Sequence, residues 1–345
     1  MASPLIPTTV DSRAYKAPIS NPTRQSKLII AATAVGLWEG KDHHIATWTG
    51  SSWKFIKPIQ GVSTWIVDEG VEATWDGSAW VVPSGGSGGG ESREILHADR
   101  IYYVRTDGND SNTGLVNDAS GAFLTIQKAV NVVSLDIDMN IFQVTIKVAD
   151  GTYNTSGTNL LLGEYVGNWK PPIIEGNITT PSNCIISNTS SPLVNCMRSQ
   201  WTIRGFRVIA NGSLALFAQL GAYLTISDIS FGYAHDQHMW ARSSVIQIIG
   251  NYSIDGPAIH HIIAEDGGYV GTMGYSIAVF IASAYTISIM AYAINGSTIR
   301  LKPATFTGAQ PVGIRYVGEA LSVIIANNAI PGTVGGNVTG GSVKL

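Results

Sequence analysis

Glycoside bonds are commonly broken by two carboxyl groups about 5–9.5 Å apart, one protonated as acid and one ionised as nucleophile or base. Acids are sparse in the glycine-rich second half of this chain, where Asp228, Asp255, Glu265 and Asp266 are the candidates for such a pair. Asp228 lies among the alternating residues Ile226 and Ile229 and can face solvent, with Asp255 following 27 residues later. Glu265 and Asp266 stand immediately before Gly267-Gly268, a turn signal. The competing reading for all four is that of ordinary solvated turn carboxylates.

The histidines suggest metal or acid–base chemistry, and their spacing argues against it. His235 and His238 share one side only on a helix, and no cysteine accompanies them, so a surface loop is expected. His43-His44 and His260-His261 are adjacent, and adjacent residues of a strand point to opposite faces. Asp107 to Gly114 is dense in Asp and Asn, but Asn112 stands where a calcium loop needs glycine and no glutamate closes it. An Asx-rich turn is expected there, and neither a metal nor a cofactor anywhere. Outside the Gly/Ser run at Gly85 to Gly90 the chain has no Gly-x-Ser-x-Gly, and nowhere a phosphate-binding or His-Glu-x-x-His motif.

Charge and composition restrict the partners. Charged residues are 13% of the 345, about half the usual share. With a net charge of −3 the chain has no basic field to capture nucleic acid or an anionic membrane. Glycine is abundant at 38 residues and the mean hydropathy is +0.16, more apolar side chain than a lone globule needs to hide. The excess points to burial between subunits. Cys184 and Cys196 read as small buried hydrophobes. Met1 to Arg24 has no apolar core behind a basic start, so no signal peptide is expected. The uncharged run Tyr275 to Ile294 is long enough for a membrane helix. Its apolar residues nevertheless recur at every second position (Ile277, Val279, Ile281, then Tyr285, Ile287, Ile289), which predicts strands and no membrane insertion.

An internal repeat marks the N-terminal part. Ala46-Thr47-Trp48-Thr49-Gly50-Ser51-Ser52-Trp53 matches Ala73-Thr74-Trp75-Asp76-Gly77-Ser78-Ala79-Trp80 at an offset of 27. Each copy sets a glycine turn between two tryptophans, the pattern of a hairpin. A small Trp-rich β-meander is expected over 37–82, with the indoles forming a core or, alternatively, a sugar-binding platform. Residues 83–92 read as a Gly/Ser linker. Residues 1–36 read as an arm that orders against a neighbour.

Beyond the linker, Thr125 is placed to cap an amphipathic helix through Val133, and the rest has strand period. Ile186, Val208, Phe231, Ile254, Ile277, Ile299 and Leu321 recur every 22 or 23 residues, a rung length of a parallel β-helix. The expected fold is all-β: a right-handed single-stranded parallel β-helix over 93–328 with an N-terminal capping helix. Residues 329–345, too short for a core, are expected to pair with neighbouring chains.

Two resemblances fit this organisation. The repeat together with Gly61-Val62-Ser63-Thr64-Trp65-Ile66-Val67-Asp68-Glu69-Gly70 resembles a small domain of unknown function in tail proteins of bacteriophages and gene-transfer agents. The run Ile101 to Gly114, then Phe123 to Val130, Val144 to Tyr153 and Pro171 to Ile186, resembles the entry to the pectate-lyase-like β-helix of phage tailspikes. The resemblances imply a tail fibre or tailspike in the virion, assembled in the host cytoplasm. They also imply a homotrimer, whose N-terminal region would attach to other virion proteins and whose β-helix would contact the host through bacterial surface polysaccharide. A polysaccharide depolymerase, hydrolase or lyase, is the alternative.

Overall fold

The computed structural model describes residues 27–30, 38–49, 51–66, 71–81, 93–155, 159–167, 170–189 and 192–345. The chain forms two compact units, residues 1–92 and 93–345. The linker expected at 83–92 and most of the arm expected at 1–36 lie outside the described residues.

In the first unit the repeat folds as its turns dictate. Trp48 stands across from Trp53 in one antiparallel hairpin and Trp75 across from Trp80 in another. The alanine two residues before the first tryptophan of each copy, Ala46 or Ala73, is fully buried. Lys27–Ile29 adds antiparallel to the first hairpin, so the stretch expected as an arm already contributes a strand. Trp38, Trp75 and Trp80 are buried, and the Trp80 indole donates to the His43 carbonyl at 2.8 Å. These three indoles pack in cores. Trp65 lies in the strand Ser63–Ile66, but its side chain is outside the described residues.

The second unit is a parallel β-solenoid. Each turn of the coil lays strands on three faces, and successive turns pair in parallel. Face one runs from Arg100–Val104 through Val144–Val148, Ile173–Glu175 and Val245–Ile248 to Val323–Ala326. Face two includes Gly151–Asn154, Cys184–Asn188, Tyr252–Ile254, Ile277–Ile281 and Ala304–Gly308. The long strands Gln200–Ala210 and Tyr223–Ala234 bend round the corner and belong to both faces. Face three stacks Leu160–Leu162, Val194–Met197, Leu216–Gln219, Gln237–Arg242, Ala258–Glu265 and Thr286–Ala293.

Side chains at equivalent positions stack into interior rows. Face one supplies Trp201, Leu224, Ile246, Val270, Ile299 and Ile324, all fully buried. Face two supplies Tyr153, Ile186, Val208, Phe231, Ile254 and Ile281. Face three answers with Cys196, Ala218, Ala241, Ala264 and Ala293, small residues that leave room for the larger rows opposite. Burying each large aliphatic side chain contributes about 1.5–3 kcal/mol, and parallel pairing satisfies the backbone between turns.

The helix Ile126–Asn131 starts where expected, with Thr125 Oγ1 accepting from the Lys128 amide at 3.2 Å. Its residues Ile126, Ala129 and Val130 join the core at the first turns. Asp110 of the Asx-rich turn holds the helix start, accepting from the amides of Leu124 and Thr125, both at 2.9 Å. The run Tyr275 to Ile294 is two strands, with Ile277, Val279 and Ile281 buried between exposed neighbours. No described helix is long and apolar enough to cross a membrane.

Two expectations differ from the structure. The 22–23 residue ladder holds from Ile186 to Ile254 and then slips, because Ile254 pairs with Ile281 and not with Ile277. The segment Thr272 to Ser276 lengthens this turn, and Leu321 is 72% exposed. The C-terminal residues do not wait for other chains. Asn337–Val338 extends face three and Val343–Lys344 extends face one of their own solenoid.

Candidate functional site

The four acids lie in different settings. Asp228 sits at the corner of Tyr223–Ala234 with φ +52°, one turn after Gly205 with φ +76°. Aspartate tolerates the left-handed region better than most residues, and a bend there accounts for it without chemistry. Its amide donates to the Asn251 carbonyl at 2.8 Å. Asp255 is four positions beyond Asn251, roughly 13 Å along the chain at about 3.3 Å per residue. Its carboxylate accepts from the hydroxyls of Ser230 and Ser253. The two candidates therefore lie on adjacent turns, Asp228 at the corner and Asp255 turned back toward Ser230.

Glu265 and Asp266 end a face-three strand beside Arg242, whose guanidinium lies 3.0 Å from Asp266 and 3.8 Å from Glu265. Asn295, donating at 2.8 Å, and Arg242 hold the Asp266 carboxyl below the usual carboxylate range. This is an ionic cluster around one arginine.

The histidines correct the sequence reading. His235 is exposed, but His238 belongs to the strand Gln237–Arg242 and is fully buried, not in a surface loop. It lies one turn below His261, also fully buried. Their Nδ1 atoms are 3.0 Å apart. His260, on the other side of its strand, stacks on Tyr292 at 5.6 Å. Cys184 and Cys196 are buried and unbridged, and burial pushes both thiols up to about 12.

The outer side of face three carries an aromatic and polar row in which Asn195, Phe217 and Ile263 are buried and Trp240 and Tyr292 are partly exposed. Asn195, Phe217, Trp240, Ile263, Tyr292 and Val317 are successive neighbours across six strands. They alternate with the small interior residues, so they point away from the core. Phe217 and Trp240 rings lie 5.0 Å apart. A polar row runs alongside: Gln219 donates to Asn195 at 3.0 Å, Arg242 meets Asp266, and the Tyr292 hydroxyl donates to Glu319 at 3.0 Å. Rings flanked by hydrogen-bonding side chains on rigid strands suit a ligand with an apolar face and many hydroxyls. The 23-residue step from Phe217 to Trp240, and from His238 to His261, is the same step that the aliphatic ladder takes from Val208 to Phe231 and Ile254.

Comparison with known proteins is narrow. No curated protein and no solved structure matches this chain. Residues 4–81 match the family described as "Protein of unknown function (DUF2793)", a span that covers both Trp repeats and reaches back through most of the expected arm.

Proposed function

We propose that the chain is a virion structural and adhesion protein of the tail-fibre or tailspike kind. It assembles as a homotrimer, attaches to other virion proteins through its N-terminal region, and meets bacterial surface polysaccharide with the solenoid. The observation that carries this reading is the stiff, repetitive parallel solenoid, whose face three sets the partly exposed rings of Trp240 and Tyr292 among hydrogen-bonding side chains. The separate N-terminal unit matching the DUF2793 family supports a division between attachment and adhesion. Exposed apolar side chains such as Phe280, 53% accessible, supply surface for subunits to cover.

The test uses the purified full chain. Light scattering at micromolar concentration is expected to give three chains per particle, and immobilised capsule or lipopolysaccharide is expected to retain the protein. Trp240→Ala, with its thermal midpoint checked, is expected to weaken retention at least tenfold. A folded monomer, or retention untouched by Trp240→Ala, would overturn the trimer or the assigned surface respectively. Release of reducing ends or unsaturated sugars would establish the depolymerase instead.

A further inference from the structure

Inside the solenoid, where faces two and three meet, three side chains and one backbone carbonyl form a sealed polar chain. His238 Nε2 lies 2.9 Å from the Gly232 carbonyl, and the two histidine Nδ1 atoms lie 3.0 Å apart. His261 Nε2 lies 3.0 Å from the Tyr252 hydroxyl. A carbonyl only accepts, so His238 Nε2 carries a proton and donates. Its Nδ1 then accepts from His261 Nδ1–H, and His261 Nε2 accepts from the tyrosine hydroxyl. This arrangement satisfies every nitrogen with both rings neutral.

The surroundings give an added proton no partner. Phe231 packs against His238, Tyr252 and His261, with ring centroids 5.2, 5.6 and 5.5 Å away. The carboxylates on the surrounding strands are engaged elsewhere: Asp255 with Ser230 and Ser253, Asp236 with His235, and Glu265 and Asp266 with Arg242. His260 faces Tyr292, whose hydroxyl goes to Glu319. A proton on His238 would have to sit on Nδ1, against the N–H of His261. One on His261 would require the Tyr252 hydroxyl to turn and accept.

We propose that the His238–His261 pair is an acid-responsive latch: below neutral pH the turns that carry it, residues 231–262, open before the rest of the solenoid, and each opening takes up two protons at the pair. Burial holds His238 down to about 4, and burial together with His238 holds His261 well below its ordinary value. Open turns return both rings to about 6.5. A folded pKa lowered in this way means that the closed form is fully favoured above 6.5 and loses ground as pH falls from there toward 4. Between pH 7 and pH 5 linkage raises the opening constant about 25-fold per ring, roughly 600-fold for two.

The test is hydrogen–deuterium exchange of the full chain at pH 7 and pH 5, corrected for intrinsic rates. Residues 144–204, which contain no histidine, serve as the internal reference. Opening within 231–262 is expected to rise several hundred-fold and in the reference less than tenfold. His261→Gln is expected to lower the first figure by a factor of about 25. Should that variant fail to fold, imidazole NMR of the unmodified chain decides, with both rings expected to remain neutral at pH 5 in the closed state. An equal pH response in the two segments, or either ring titrating near 6.5 in the intact coil, would overturn the latch.

Discussion

Nδ1 of His238 lies 3.0 Å from Nδ1 of His261, and the Tyr252 hydroxyl closes the far end of the same chain. Tyr252→Phe would keep the ring and remove the donor, leaving His261 Nε2 buried without a partner. The cost is expected to be about 1–3 kcal/mol, read from the urea midpoint at pH 7.5. An unchanged midpoint would mean that the hydroxyl does not close the chain.

The corner between faces one and two yields a second expectation. A Cβ on Gly205 would lie 2.8 Å from the Asn177 carbonyl carbon, and its φ is left-handed. Gly205→Ala is expected to lose about 2–4 kcal/mol from clash and strain together. One turn on, Asp228→Asn should be neutral within about 0.5 kcal/mol, while Asp228→Val should lose about 1–2 kcal/mol. Thermal denaturation of the three variants orders them. If Asp228→Val were as stable as Asp228→Asn, backbone conformation would not be what selects aspartate there.

How much of this was legible depends on how local the cause is. The tryptophan repeat was readable because a hairpin is set by its own turn, and Trp48 finds Trp53 within a few residues. The rows from Ile186 to Ile254 were readable because the connections between those strands keep one length. The slip at Ile277 was not, since Thr272 to Ser276 has the Gly and Ser texture of every other corner and only pairing reveals the extra residues. The site was less legible still. Trp240 and Tyr292 become neighbours of Ile263 through turns of 23 and 29 residues, and no fixed period gathers them.

On the outer side of face one, Glu175 sits between Lys147 and Arg204 on adjacent turns, its side chain 13% exposed. Burial pushes its carboxyl up, and the hydrogen bonds from the two cations more than reverse this, so it lies below the usual range. A lowered carboxylate contributes stability above its unfolded pKa and loses it as pH falls through the folded value. Glu175→Gln is expected to cost about 1–3 kcal/mol at pH 7, with the gap to the unmodified protein closing below about pH 4. A gap independent of pH would assign the loss to packing instead of charge.

The polarity of the molecule can be tested by removing residues 1–83. The solenoid unit, residues 93–345, encloses its own core, and its first turns are covered by the helix Ile126–Asn131 from the same unit. The truncated protein is therefore expected to remain soluble, with a thermal midpoint within a few degrees of that of the full chain. If adhesion resides on face three, it should still bind surface polysaccharide. If the DUF2793-matching region is the attachment end, it should no longer enter particles. Both can be read from one preparation, by retention on immobilised polysaccharide and by incorporation into virions assembled with the truncated chain. Normal incorporation would remove the attachment role from the N-terminal region, and loss of retention by a folded truncated protein would move adhesion there.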